Sequence, residues 1–189
     1  MKFKMKKRSF TYLVFIGTFL VSTMVKAQQD PQFTHYMYNM SVINSGYATD
    51  NEGVINVGGL YRTQWVGAVG APKTGTVFVH SPIAKRVELG LSIVSDAIGD
   101  VVHENNIYAD AAYVIPVSQN TKLSFGLKAG ITLFDVDFNG FQYTDATPDE
   151  AFSENVNKTF PNIGAGAFYF SDHYYLGFST PNLLTTKHL

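Results

Sequence analysis

The chain has 189 residues, 46% apolar and 15% charged, with 16 Gly, 15 Phe, 11 Tyr, one Trp and no Cys. Average chains carry ~25% charged residues, so charge is scarce here without the sequence being unusually apolar. That balance excludes a disordered chain and a nucleic-acid binder, and the lack of Cys excludes disulfides, thiolate metal sites and a cysteine nucleophile.

The N-terminus predicts export. Lys2, Lys4, Lys6, Lys7 and Arg8 form a basic stretch, and Phe10 to Met24 carries no charge. That run is shorter than the ~20 apolar residues of a membrane-spanning helix. Val25-Lys26-Ala27 offers small residues where a signal peptidase reads, so residues 1–27 are expected to be a signal peptide cleaved before Gln28. Its removal takes six of the 14 basic residues and none of the 15 acidic ones, so the net charge moves from −1 to −7. An acidic exported chain has no electrostatic reason to bind nucleic acid.

Residues 28–52 read as a short arm. Phe33, Tyr36, Met37, Met40 and Ile43 follow Asp30-Pro31, a pattern for a short helix or ordered segment that plugs or braces a barrel, or caps a core. From residue 53 onward the pattern is two-residue alternation. It predicts seven strands, at 54–65, 74–81, 87–96, 104–116, 121–136, 161–170 and 173–180. In the first, Ile55, Val57, Gly59, Tyr61, Thr63 and Trp65 oppose Asn56, Gly58, Arg62 and Gln64. The clearest is the fifth, where Leu123, Phe125, Leu127, Ala129, Ile131 and Leu133 oppose Lys122, Ser124, Gly126, Lys128, Gly130 and Thr132. Gly70-Ala71-Pro72, Ser81-Pro82, Ile98-Gly99-Asp100 and Ser118-Gln119-Asn120 supply turn signals. The one long connection, about 138–160, carries Asp145, Asp149, Glu150 and Glu154.

Strands of ten or more residues exceed the soluble mode of ~5–6 and match the ~9–11 that a tilted strand needs to cross a bilayer. The expected fold is therefore all-β, an antiparallel transmembrane β-barrel facing outer-membrane lipid, with small and polar residues turned inward. A soluble secreted β-sandwich shows the same alternation and stays open at this point.

No catalytic, cofactor or metal set emerges. Asp135, Asp137, Asn139 and Gly140 begin a calcium-loop pattern, but its twelfth position, which should be a bidentate Glu, is Ala146. His103-Glu104 lacks a second His four residues on, His80-Ser81 lacks an identifiable third member, and Gly164-Ala165-Gly166 opens a strand rather than a helix. Segment 61–74 is distinctive for another reason. Arg62 and Gln64 share one face, Trp65 takes the other, and Gly70 and Pro72 tighten the connection towards Lys73. It reads either as a hairpin with an interfacial Trp or as a shaped polar patch for a partner chain.

This segment resembles the signature of the PorP/SprF family of outer-membrane proteins from the type IX secretion and gliding machinery. So does the opening Asp30-Pro31-Gln32-Phe33-Thr34-His35-Tyr36-Met37, and so do Gly90-Leu91-Ser92-Ile93 and Ser124-Phe125-Gly126-Leu127-Lys128-Ala129-Gly130. Tyr175-Leu176-Gly177-Phe178-Ser179 with Pro181-Asn182-Leu183-Leu184 completes a collinear resemblance from Gln28 to Leu184. One departure is Asn44-Ser45-Gly46-Tyr47-Ala48-Thr49, where the family usually has Asn-Pro-Ala-Tyr-Ala-Gly.

The resemblance implies a non-catalytic outer-membrane barrel that assists export or surface attachment of partner proteins, large adhesins among them. Its periplasmic side would meet the secretion or motility apparatus. Family members continue past the Pro-Asn-Leu-Leu motif with further strands, so residues 53–189 are expected to be the N-terminal part of the barrel. Arg62, Gln64, Trp65, Gly70, Pro72, Lys73, Asp145, Asp149 and Glu150 are the candidate partner contacts. A small-solute porin is the rival within the barrel class.

Overall fold

A computed structural model describes residues 35–49, 51, 53–138 and 155–184. The expected signal peptide and the start of the arm lie outside the described residues. The arm contains a 3-10 turn, Tyr36–Tyr38, and a single α-helical turn, α1, Met40–Ile43. It is followed by β1 (Asn56–Thr63), β2 (Lys73–Ala84), β3 (Val87–Ile98) and β4 (Val102–Pro116). Then come β5 (Thr121–Val136), β6 (Val156–Ser171) and β7 (Tyr175–Thr180). The described strands form one antiparallel sheet in sequence order, curled into a half-barrel.

The polarity of its two faces is inverted relative to a soluble sheet. On β5, Ser124, Lys128 and Thr132 are buried, whereas Phe125, Leu127 and Ile131 are exposed, Leu127 by 70%. On β3, Glu88 and Ser92 are buried while Leu89, Leu91 and Ile93 face out. A soluble sandwich would bury those leucines against a second sheet; here the described strands make one sheet with its apolar side outward. This is the lipid-facing pattern of a membrane barrel. The outward apolar run from Leu123 to Leu133, at ~3.3 Å per residue and a tilt of ~40°, covers about 25 Å, the height of a barrel's apolar band. Among the described residues no helix is long and apolar enough to cross a membrane.

The band also drifts across the sheet. One hydrogen-bonding row joins Gly59, Val77, Ile93, Ile107, Ile131 and Pro161. On β1 the outward apolar residues continue beyond this row to Tyr61; on β6 they end at it, giving way to Thr159 and Asn157. On β7 they lie wholly on its other side, at Leu176 and Phe178. On β5, as on β1, they pass the row, reaching Leu133, so the shift falls on the β6–β7 side, as strands tilted to a barrel axis allow.

Four strands outrun their expected limits: β3 and β4 by two residues at the end they share, and β2 and β6 each through a proline. β2 continues past Ser81-Pro82 to Ala84, and the chain turns at Lys85-Arg86 instead. The ladder with β3 shifts register between Pro82 and Ala84, an irregularity that absorbs the missing N–H. β6 begins at Val156, five residues before the expected start, and runs through Pro161. The Ile163 carbonyl accepts from Leu183 N at 2.8 Å on the β7 side, so Pro161, of the same parity, turns its nitrogen to that side too. The β7 ladder reaches only Ala165, so no bond is lost there.

Candidate functional site

The inner wall owes its shape to two neighbouring rows. The first crosses Glu88, Ala112, Gly126, Gly166 and Ser179 on β3 to β7, and its middle residues have little or no side chain. The arm lies along this trough, crossing the strands. Thr49 N donates to Glu88 Oε2 at 3.0 Å, Ser45 Oγ to the Gly126 carbonyl at 3.1 Å, and Asn44 Nδ2 to the Ala167 carbonyl at 3.1 Å. Ser179 Oγ donates to the Ile43 carbonyl at 2.8 Å. Asn44 Oδ1 accepts from Gly46 N at 2.8 Å, folding the arm into a tight turn of the kind Asn favours.

The glycines make this contact possible. A Cβ on Gly126 would sit 1.8 Å from the Ser45 carbonyl oxygen, and one on Gly166 would sit 2.1 Å from Asn44 Oδ1. Both lie well inside van der Waals contact. Asn39, Ser41, Val42, Asn44, Ser45 and Ala48 are buried as a result.

The second row carries charge. It runs from His80 through Gly90 and Asp110 to Lys128 and Gly164. Asp110 and Lys128 are opposite each other in register, both buried and electrostatically paired. Lys128 Nζ also donates to the Val42 carbonyl at the end of α1, where a cation suits the helix terminus. It lies 4.9 Å from the centre of the Tyr108 ring. Gly90 leaves the room that the Asp110 carboxylate fills. His80 Nε2 is 3.3 Å from Glu88 Oε2, and both side chains are almost wholly enclosed. Tyr47 packs between the rings of His80 and Phe168, at 5.6 and 5.4 Å. Burial, and secondarily the Glu88 carboxylate, push its phenol above the ordinary range.

Glu88 therefore serves the arm and the wall together. Glu88→Ala strands the Thr49 amide and His80, and is expected to destabilise the fold by about 2–4 kcal/mol in urea unfolding. Glu88→Gln, which keeps an acceptor for Thr49, is expected to lose less.

Towards the end where β1 meets β2, the wall becomes a network of polar hydrogen bonds. Asn106 Oδ1 accepts from Tyr108 Oη at 3.0 Å and from Thr132 Oγ1 at 2.5 Å, and Asn106 Nδ2 donates to Glu104 Oε1 at 2.8 Å. Asn162 donates to Asn182, tying the Pro181-Asn182 segment back to β6. On the other flank, arm residues Met37, Tyr38 and Met40 face Leu60 and Phe78 across a cavity of about 610 Å³.

The candidate contacts from segment 61–74 do not form one patch. Arg62 and Gln64 are half-buried and joined, Nη2 to Oε1, at 3.0 Å. Trp65, Gly70 and Lys73 are exposed, and Pro72 is half-buried. Gln64 N donates to the Pro72 carbonyl at 3.0 Å, closing the hairpin. Asp145, Asp149 and Glu150 lie outside the described residues, as do Asn139, Gly140 and Ala146 of the calcium-like pattern. Asp137 Oδ1 accepts from Asn155 Nδ2 at 3.0 Å, so it links the end of β5 to the approach to β6. Among the described residues no cluster of three or more acidic or His side chains is placed to hold a metal. His80 and Ser81, adjacent in sequence, fall on opposite faces: Ser81 Oγ donates to the Val54 carbonyl at 3.3 Å while His80 meets Glu88.

The trough and its ionic row were not among the sequence candidates. Their only trace was Glu88 and Lys128 on otherwise small, polar strand faces. Comparison with curated proteins and with solved structures gives no match. A family model described as the type IX secretion system membrane protein PorP/SprF matches residues 25–189. Together with a lipid-facing half-barrel whose polar interior holds its own N-terminal segment, that match over nearly the whole chain places the protein in the PorP/SprF family of type IX secretion system membrane proteins.

Proposed function

We propose that this chain is a non-catalytic outer-membrane component of the type IX machinery that assists export or surface attachment of partner proteins, adhesins among them. Family membership supports the secretion role, and the outward apolar, inward polar strand pattern is the observation that supports a lipid-embedded wall.

The loops supply an orientation. At one end of the sheet the connections are 64–72, 99–101 and 137–155; at the other they are the tight turns 85–86, 117–120 and 172–174. Barrels of this class turn short connections to the periplasm and long ones outward. The long-loop end also has strand tips that outrun the apolar band, with Asn105, Asp135 and Asn157 on the outer side. That end is assigned to the cell surface, where the rim residues Arg62 and Gln64 and the acidic stretch with Asp145, Asp149 and Glu150 offer contacts to an exported partner. The short turns face the secretion or motility apparatus.

Residues 35–49 act in this reading as an internal brace along the polar wall, which disfavours a small-solute porin. Deleting the gene is expected to abolish surface display of the exported protein encoded beside it, measured by antibody labelling of whole cells. Unchanged export and display in the deletion strain would remove the secretion role. A stepwise conductance in planar bilayers would favour the porin instead.

A further inference from the structure

We propose that the tip of the β1–β2 hairpin is a lipid-interface anchor, with Trp65, Val66 and Val69 seated in the headgroup zone of the outer leaflet. The proposal rests on the membrane-embedded reading of the sheet and adds to it a specific lipid contact.

Three observations carry it. Residues 64–72 contain no charge, and at their tip Trp65 is 69%, Val66 85% and Val69 101% exposed. Three large apolar side chains left bare in a row call for a partner. The tip is also continuous with the lipid-facing surface: it follows on the outward residues Val57 and Tyr61 of β1, and Tyr61 shares a cross-strand row with Leu133 of β5 at the long-loop end of the apolar band. An amphipathic indole at the upper limit of an apolar band is where the membrane interface favours Trp. Lys73, exposed at the base of the hairpin opposite Thr63, is placed for headgroup phosphates.

The backbone supports the same reading. Trp65 has φ +52°, a left-handed conformation that bulky residues rarely adopt, and Gly67 and Gly70 are left-handed beside it. The tip is held in that shape by Ala68 N to the Trp65 carbonyl at 3.0 Å, and by Gly99 N of the next connection to the Gly70 carbonyl at 3.1 Å. A strained, cross-braced apolar tip is a preformed contact surface rather than a slack loop. Lipid is favoured over a protein partner because the exposed side chains extend a surface that already faces lipid, whereas the polar pair Arg62 and Gln64 turns away from it.

Trp65 is the chain's single tryptophan, so its fluorescence reports the tip alone. The purified full chain is reconstituted into phosphatidylcholine vesicles whose acyl chains carry bromine at a shallow or a deep position. Expected is quenching about twofold stronger from the shallow bromine than from the deep one, with iodide in the aqueous phase having little effect. Val66→Asp with Val69→Asp is expected to restore iodide quenching and reduce lipid quenching. Strong iodide quenching with no lipid quenching, in protein that floats with the vesicles, overturns the lipid anchor and favours a protein partner for the tip. Protein that does not float with the vesicles overturns the membrane reading as well.

Discussion

Valine at Gly126 is expected to drive the arm out of its trough. The new side chain would begin 1.8 Å from the Ser45 carbonyl oxygen, a main-chain atom on a chain already fixed on both sides, so no rotamer change relieves the overlap. Overpacking of this kind costs up to ~3 kcal/mol, which corresponds to about a 100-fold rise in the population of the released arm. Valine is a better strand former than glycine, so the loss cannot come from β5 itself. Because the chain has no native Cys, Ala48→Cys gives a unique thiol on the buried arm. Its maleimide labelling is expected to be slow in the otherwise native chain and about 100-fold faster with Gly126→Val. Gly75→Val is the control, since a Cβ there meets only Tyr61 at 3.8 Å on the outer side. Equal labelling in the two valine variants would show that the trough does not hold the arm.

The second large effect is expected at Lys128. Lys128→Met leaves Asp110 buried without its counter-charge and the Val42 carbonyl without its donor. Removing one of two opposite charges buried on facing residues costs ~1–3 kcal/mol, because the remaining charge keeps its desolvation penalty. Urea unfolding of the vesicle-embedded chain is expected to show that loss. Replacing both members, Asp110→Leu with Lys128→Met, is expected to recover most of it, because neither charge is then stranded. A double variant as unstable as the single one would mean that the pair matters for something other than mutual compensation.

Both predictions concern residues whose strand the alternation located, but whose task it could not. Leu123 to Leu133 against Lys122 to Thr132 fixes a strand and two faces, and the structure keeps that assignment residue by residue. Which face meets lipid was not settled by the alternation, because a secreted sandwich shows the same pattern with its leucines buried; the exposure of Phe125, Leu127 and Ile131 decides it. The prolines misled because a sequence reports a missing N–H without reporting that a register shift takes it up at Pro82 or that no strand lies on that side at Pro161. The trough was invisible for a related reason. Gly126, Gly166 and Ser179 become neighbours only through the register of three strands, and the arm that needs them lies more than 70 residues away in sequence. In segment 61–74 the alternation already set Arg62 and Gln64 on one face and Trp65 on the other, but it could not show that Arg62 and Gln64 are joined to each other while Trp65 stands exposed beyond the outer column.

The way the wall holds the arm bears on how this segment can change over time. Lys128 and Ser179 grip the carbonyls of Val42 and Ile43, Glu88 grips the amide of Thr49, and the Gly126 floor is shaped to the carbonyl of Ser45. Those carbonyls belong to every residue and the Thr49 amide to every residue but proline, so these grips do not depend on side-chain identity, although Asn44, Ser45 and Tyr47 add side-chain holds of their own. Chain length is not free: one residue more or fewer between Val42 and Thr49 puts each grip out of step with its target. The departure at Asn44-Ser45-Gly46 from the usual family wording is a change of spelling that preserves the count. Insertions and deletions, even more than substitutions, are the variation this segment should be found to lack.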